Sequence, residues 1–383
     1  MEAYLDNSAT TPCSPAAVKV MEQVLLNDYG NPSSLHNKGM EAENYMKATR
    51  KSIAKSLKVS EKSIYFISGG TEGNNLAIAG SVAANARVGK HVITTAIEHP
   101  SVGNPMKHLE ELGYEVSYLG VDAKGYISLE ELESLLREDT VLVSIMQVNN
   151  EIGTIQPVAE AAKLVHAKAP KAVFHVDAIQ SYGKVELFPE KMGIDIITVS
   201  GHKIHAPKGS GFIYINPKVK VTPQILGGGQ EEGFRSGTQN VPAIAALGVA
   251  VDEMFADFEG HRAHLFALKQ RMVEGLGTIS GVSFNGDTTN GAPHILSVTA
   301  KDVRSEVLLH ALEDKGIYVS AGSACSSNKP SPSKTLQAIG LDRASLEATV
   351  RISFSIYNTM EQVDYAVDVM RELIPKLQKY MRR

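Results

Sequence analysis

The chain has 383 residues, 43% of them hydrophobic and 21% charged, with 38 basic residues against 42 acidic and a formal net charge of −4. That balance gives no support for direct nucleic-acid binding, the even spread of apolar residues argues against disorder, and the length sets a prior of two or three domains. The longest mostly apolar stretch, Val241 to Val251, falls far short of the ~20 residues of a membrane span. The opening MEAYLDNSATTP has neither the basic segment nor the apolar core of a secretion signal, so the expected compartment is the cytoplasm.

From Ala16 onward, helix-period and strand-like segments alternate. Val18–Leu26 and Met40–Leu57 read as helices, Ser63–Ser68 as a short strand, and Gly73–Ala86 as the next helix. His91–Thr95 is a strand and Val102–Leu112 a helix. Strands continue at Val116–Leu119, Val141–Val148, Val173–Val176 and Ile194–Val199, with helices at Leu129–Leu136 and Val158–Ala167 between them. Short apolar strands separated by helices indicate an α/β layer on a mainly parallel sheet. Phe212–Ile215 follows a Gly-rich turn so closely that it reads as an antiparallel addition. Beyond Ala243 a long helical stretch leads to a smaller α/β unit, with strands at Ala292–Thr299 and Val350–Ser355 and helices at Ser305–Lys315 and Thr359–Tyr380. The junction is expected near residue 250: a large domain over 13–250, and a small one made of 1–12 and 251–383.

The two cysteines, Cys13 and Cys325, are too few and too far apart for a disulfide framework, a zinc cluster or an iron–sulfur site within one chain. No metal site is expected. Three other segments carry chemistry. Ser68–Asn75 (SGGTEGNN) lies between a strand and a helix, where glycines let a ligand approach the backbone and free amides attract phosphate. It lacks the Gly-Lys-Ser/Thr of a Walker loop and the spacing of a dinucleotide fingerprint. In Phe174–Gln180 (FHVDAIQ), Asp177 ends a buried strand and points into the crevice where open α/β sheets bind ligands. In Val199–Gly209 (VSGHKIHAPKG), Lys203 follows an apolar strand beside His202, His205 and Lys208. Burial and neighbouring cations there favour the neutral, nucleophilic amine that a Schiff base requires.

Taken singly these are a tight turn, a helix cap and a basic surface loop. Together they are the parts of a pyridoxal phosphate site: a lysine for the aldehyde, an aspartate for the pyridinium proton, and a helix start for the phosphate.

At this point the sequence resembles the cysteine desulfurases of the nitrogen-fixation and iron–sulfur-cluster type, within the class V aminotransferase family. The resemblance is carried in order by Tyr4–Pro12 (YLDNSATTP), Tyr29–His36 (YGNPSSLH), Gly69–Asn75, Glu98-His99, Val148–Gly153 (VNNEIG), His175–Gly183 (HVDAIQSYG), Ser200–Gly209, Gly227–Pro242 (GGGQEEGFRSGTQNVP), Ser320–Ser327 (SAGSACSS) and Val350–Thr359 (VRISFSIYNT). It implies aminotransferase fold type I, a pyridoxal 5′-phosphate cofactor, L-cysteine as substrate, a homodimer and a sulfur-acceptor protein.

It also implies roles. Lys203 would hold the aldehyde and act as base, Asp177 would pair with the pyridine nitrogen, and His99 would stack on the ring and move protons. Gln180 would approach the ring hydroxyl. Gly70, Thr71, Ser200 and His202 would hold the phosphate, joined by Thr238 from the second subunit. Asn150 would serve both cofactor and substrate, and Asn31 and Arg351 the substrate, with Arg351 forking onto its carboxylate. Cys325 lies in a run of small, turn-forming residues that suits an exposed loop, and as thiolate it would take the substrate's sulfur as a persulfide, leaving alanine. Cys13 lacks such context and reads as structural.

Departures from the family pattern are small: Gly201 where Ala is common, Ala206 where Gly is common, and no basic residue at Glu232 or Phe234. A transaminase or selenocysteine lyase of the same fold, or a non-catalytic sulfur carrier, are the alternatives at this stage. The complete set of Lys203, Asp177, His99 and Cys325 speaks against decay to a carrier.

Overall fold

The computed structural model describes residues 1–321 and 332–381. Its centre is a seven-stranded sheet with the spatial order Ile64–Ile67, Gly211–Ile215, Ile196–Ser200, Val173–Asp177, Thr140–Met146, His91–Thr95, Glu115–Leu119. Only Gly211–Ile215 runs against its neighbours; the other strands are parallel to one another. The central strands are buried on both faces, which is why they read as continuous apolar runs.

Strand period 2 divides their side chains between two cores. Val92, Leu142, Ile196 and Ile213 face the helices Gly70–Ala84 and Pro100–Glu111. Their sequence neighbours Ile93, Val143, Ile197 and Phe212 face the opposite side, against Asn37–Leu57, Val158–Lys168 and Val241–Ala256. Parallel topology sets the carboxyl ends of the strands along one edge of the sheet. Asp177, Ser200 and the turns after Ile67, Thr95 and Met146 therefore meet there.

A second, antiparallel sheet has the order Ser320–Ala321, Thr349–Ser353, Ile295–Ala300, Val282–Asn285. Phe258–Leu276, Ser305–Glu313 and Met360–Met381 accompany it, and Leu268, Met272, Val298, Ile352 and Val363 form its own core. The expected single long helical stretch breaks at Asp257. Its backbone (φ −143°) leaves the helix Val241–Ala256, and its side chain caps Phe258–Leu276 by accepting the Gly260 N–H.

The N-terminal segment straps the two sheets together. Ala3–Tyr4 pairs in parallel with Ile317–Tyr318, and Ala3 and Leu5 enter the second core. The chain then crosses to the large sheet, where Thr11 N–H donates to the His202 carbonyl and Ser14 N–H to that of His205 (both 2.9 Å). Ser14 caps the helix Pro15–Leu26, with Pro15 in its first turn.

Candidate active site

A cavity of about 450 Å³ opens at the carboxyl edge of the large sheet. Gly70, Thr71, His99, Asn150, Asp177, Gln180, Ser200, His202, Lys203 and Arg351 all line it, as do Asp6, Ser8 and Ser101, which the sequence reading did not single out. Two expected residues are not brought to its wall. Asn31 is exposed and turned onto its own loop, its Oδ1 accepting the Ser33 N–H (2.9 Å). Thr238 is exposed on the segment after Arg235. Cys325 lies outside the described residues.

At one end the helix Gly70–Ala84 presents its unpaired first-turn amides. It begins three residues earlier than its periodicity suggested, because Gly69 (φ +153°) makes the turn that aims it. A Cβ on Gly70 would come within 2.2 Å of Ile179 Cδ1, so the backbone there is open to a ligand only while this residue is glycine. Glu72 would oppose an anion, but it is turned away. It accepts from Ser68 N–H and hydroxyl, and pairs with Arg235 Nε at 2.7 Å. Ser200 and His202 complete this end. Burial first, then Lys203, Lys208 and Lys184, push the His202 imidazole down to about 4, so it faces the cavity as a neutral ring. Its Nδ1 bonds Thr10 Oγ1 at 3.1 Å.

Across the floor runs a hydrogen-bonded series. Asp177 ends its strand fully buried, and its carboxylate accepts from Ile179 N–H (3.0 Å) and Asn74 Nδ2 (2.8 Å). Burial raises its carboxyl above the usual range, against the pull of those donors and of His99 and Lys203. A buried carboxylate of that kind fits a cation at its open face, as a protonated pyridine nitrogen would provide. Asn74 also donates to Ser101 Oγ (2.9 Å), which meets His99 Nδ1 at 2.8 Å. His99 caps the helix Pro100–Glu111, accepting Ser101 N–H at the same Nδ1 (3.1 Å). That acceptor role keeps the ring proton on Nε2. Burial also pushes the imidazole pKa down.

Lys203 follows the strand Ile196–Ser200 on a tight turn, and its Nζ donates to the Ser8 and Ala9 carbonyls (2.6 and 2.7 Å). Lys208, expected among the cations pressing on it, is exposed; the buried cation beside it is Lys184. Gln180 donates from Nε2 to the Ser8 carbonyl (3.0 Å).

At the other end Arg351, 7% exposed on Thr349–Ser353, donates to the Asn150 carbonyl (2.8 Å) and to Asp6 Oδ1 (2.9 Å). Its buried Nε has no partner among the described residues and leaves the guanidinium with donor capacity to spare. Ser320 pairs with Arg351 across the sheet and lines the cavity. Ser333 Oγ bonds the carboxylate of the half-buried Glu151. Among the described residues no group of His, Cys, Asp and Glu can hold a metal ion, and no helix is long and apolar enough to cross a membrane.

Glu98, beside His99, is half-buried with its carboxylate enclosed; its Oε1 accepts from Met146 N–H (2.8 Å) and Thr95 Oγ1 (2.9 Å), while Oε2 has no partner among the described residues. Burial pushes its carboxyl up to about 8. The folded state thus holds this proton more tightly than the unfolded chain, and the contribution to stability is complete below about pH 4.5 and lost as pH rises through 8. Glu98→Gln keeps the Oε1 acceptor without the charge. Its unfolding midpoint is expected to fall less than the wild type's between pH 5 and 9, a difference of up to about 4 kcal/mol. Parallel urea-denaturation profiles across that range would contradict the assignment.

The aminotransferase class-V model matches residues 3–366. A cysteine desulfurase IscS of Methanosarcina thermophila is 42% identical over 98% of this chain and 92% of its own length. Among solved structures, a NifS-like protein superposes with a TM-score of 0.93 at 38% identity, covering 98% of this chain and 100% of that one. SspA in complex with cysteine gives 0.80 at 34% identity, covering 93% and 100% respectively.

Proposed function

The chain belongs to the aminotransferase class-V family and is a cysteine desulfurase, and from that premise we propose how its cavity is used. Pyridoxal 5′-phosphate would be held at three points: Lys203 on its aldehyde, Asp177 on its pyridine nitrogen, and the Gly70–Thr71 helix start with Ser200 and His202 on its phosphate. When bound, the cofactor supplies an electron sink for charge at the substrate's α-carbon. The observation that carries this reading is the convergence of the Lys203 amine, the buried Asp177 carboxylate and the unpaired amides at Gly70 on a single cavity.

Each residue then has a defined task. Lys203 Nζ, held by two backbone carbonyls in the described structure, gives up one bonding partner and moves the α-proton. Asp177 keeps the pyridine nitrogen protonated, and Asn74 keeps Asp177 in place. His99 offers its Nε2–H to the cavity. Arg351 receives the L-cysteine carboxylate, with Asp6 and the Asn150 carbonyl fixing the plane of its guanidinium. Cys325 attacks the substrate sulfur as thiolate: a sulfur–sulfur bond forms, the carbon–sulfur bond breaks with its electrons passing to carbon, and protonation of that carbon yields alanine. The persulfide passes to an acceptor protein of iron–sulfur cluster assembly or thiolation. Thr238 is assigned to the phosphate of a second copy in a homodimer, in keeping with its exposure here.

Purified, cofactor-loaded protein given L-cysteine and a reductant is expected to yield alanine and sulfide in equal amounts. Pyruvate in place of alanine would sink the reading. Asp177→Asn, which keeps one of the two acceptor positions and cannot hold a pyridinium proton, is expected to lower kcat about 10²–10³-fold. An unchanged kcat would remove Asp177 from the assignment.

A further inference from the structure

Lys184 is buried (4% exposed) in the turn after Val173–Asp177, yet it is not part of the cavity wall. Gly183 sends the chain inward there in a left-handed conformation (φ +74°), with the Met254 side chain packed where a Cβ would stand. The Lys184 Nζ donates to the backbone carbonyl of Lys203 at 2.9 Å. An ammonium group has three donors and ordinarily seeks a carboxylate when buried. Here the charged group it faces is another amine, that of Lys203.

We propose that Lys184 is a positioning residue for Lys203, holding its peptide group by the carbonyl and setting a second buried amine against its own.

Among the described residues, four imidazoles and one acid stand around the pair. His202 and His205, on the Lys203 turn, are each pushed down to about 4, chiefly by burial. His294, ahead of the strand Ile295–Ala300, is pushed well below its ordinary range by burial and by Lys184, Lys269 and Arg351. His99 is lowered by burial as well. All four imidazoles are therefore neutral at pH 7. Asp177, the acid that acts on Lys203, lies on the neighbouring strand end and favours the protonated amine. Lys184 is the opposing influence. Burial and Lys203 push its own ammonium down to about 7, and the repulsion is mutual, a competition in which each amine loosens the other's proton.

A lysine that must be neutral to bond an aldehyde, and neutral again to take the α-proton, gains from that competition in both roles. The fixed carbonyl adds geometry: the peptide of Lys203 cannot swing when its side chain lets go of the cofactor.

The proposal rests on Lys203 being the residue that carries the cofactor, and the test separates the two claims. Apoprotein is mixed with pyridoxal 5′-phosphate, and the growth rate of the visible absorption band is measured from pH 6 to 10 for wild type, Lys184→Met, Lys184→Gln and Lys184→Arg. Only a neutral Lys203 amine captures the aldehyde, and the cofactor's own ionisations are common to every variant. The midpoint is expected to rise by about one pH unit in the Met and Gln variants, giving about tenfold slower capture at pH 7, while Arg, charged at every pH tested, does not raise it. Gln retains a donor for the carbonyl without the charge, so it decides the matter even if the Met variant does not fold. Gln and wild-type profiles that superimpose would overturn the proposal. A wild type that captures no cofactor, or a Lys203→Ala protein that captures it as fast, would instead overturn the assignment of Lys203, and this proposal with it.

Discussion

Lys203→Ala is expected to leave a folded, colourless protein whose turnover of L-cysteine falls by at least about 10⁴-fold. Two losses combine in one residue. Among the described residues no other amine lines the cavity: the buried Lys184 is committed to the Lys203 carbonyl and lies outside the wall. The proton transfer at the α-carbon also loses its base, a contribution of about 10²–10⁴-fold by itself. The fold should survive, because the Lys203 side chain is only part-buried and the turn that bears it is fixed by backbone bonds to Thr11 and by the Lys184 contact. Difference absorbance and a single-turnover assay read the two losses separately. A yellow Lys203→Ala protein would show that another amine holds the cofactor.

Cys325→Ala is the complementary case. Colour should persist, because the proposed cofactor contacts lie elsewhere, while sulfide and alanine release drops by at least about 10³-fold. Ala321 pairs with Val350 beside Arg351, and Cys325, outside the described residues, follows four positions later in the sequence. Transamination or elimination would need no thiol, so full product yield from a yellow Cys325→Ala protein would favour a lyase. Trapping a persulfide on the wild type with an alkylating reagent, and its absence in the variant, is the direct readout.

The two outcomes also bear on what the sequence could reveal. The cofactor floor was legible because each of its chief residues sits at a strand end, where an apolar run stops and a polar residue begins: Ile196–Ser200 leading into Lys203, Val173–Val176 into Asp177, Ile64–Ile67 into Gly69-Gly70. The residues that orient them were not. Asn74 lies within an ordinary helix, Ser101 in a helix's first turn and Asp6 in an irregular segment, and each acquires its role through a contact across at least two elements. Lys184 was not singled out in the sequence; only packing shows that Gly183 and Met254 turn it inward. Lys208 was credited with pressing on Lys203 because four intervening residues are close in sequence, but the turn carries it to the surface. Strands of two residues, such as Ala3–Tyr4 and Ser320–Ala321, are too short to show any period, so the strap and the edge beside Arg351 had no signature.

The strap from Ala3 to Ser14 has a consequence for the order of events in making the enzyme. Its Ser8 and Ala9 carbonyls hold a lysine nearly two hundred positions downstream, and Asp6 clasps an arginine 345 positions away. A growing chain can form the large sheet's parallel strands in turn and dock Ser8 to Ser14 on the turn after Ser200, yet Ala3–Tyr4 and Asp6 have no partner until Ile317–Tyr318 and Arg351 have been made. The cofactor end of the cavity can therefore form before the substrate end, which closes as a late stitch between segments far apart in the chain.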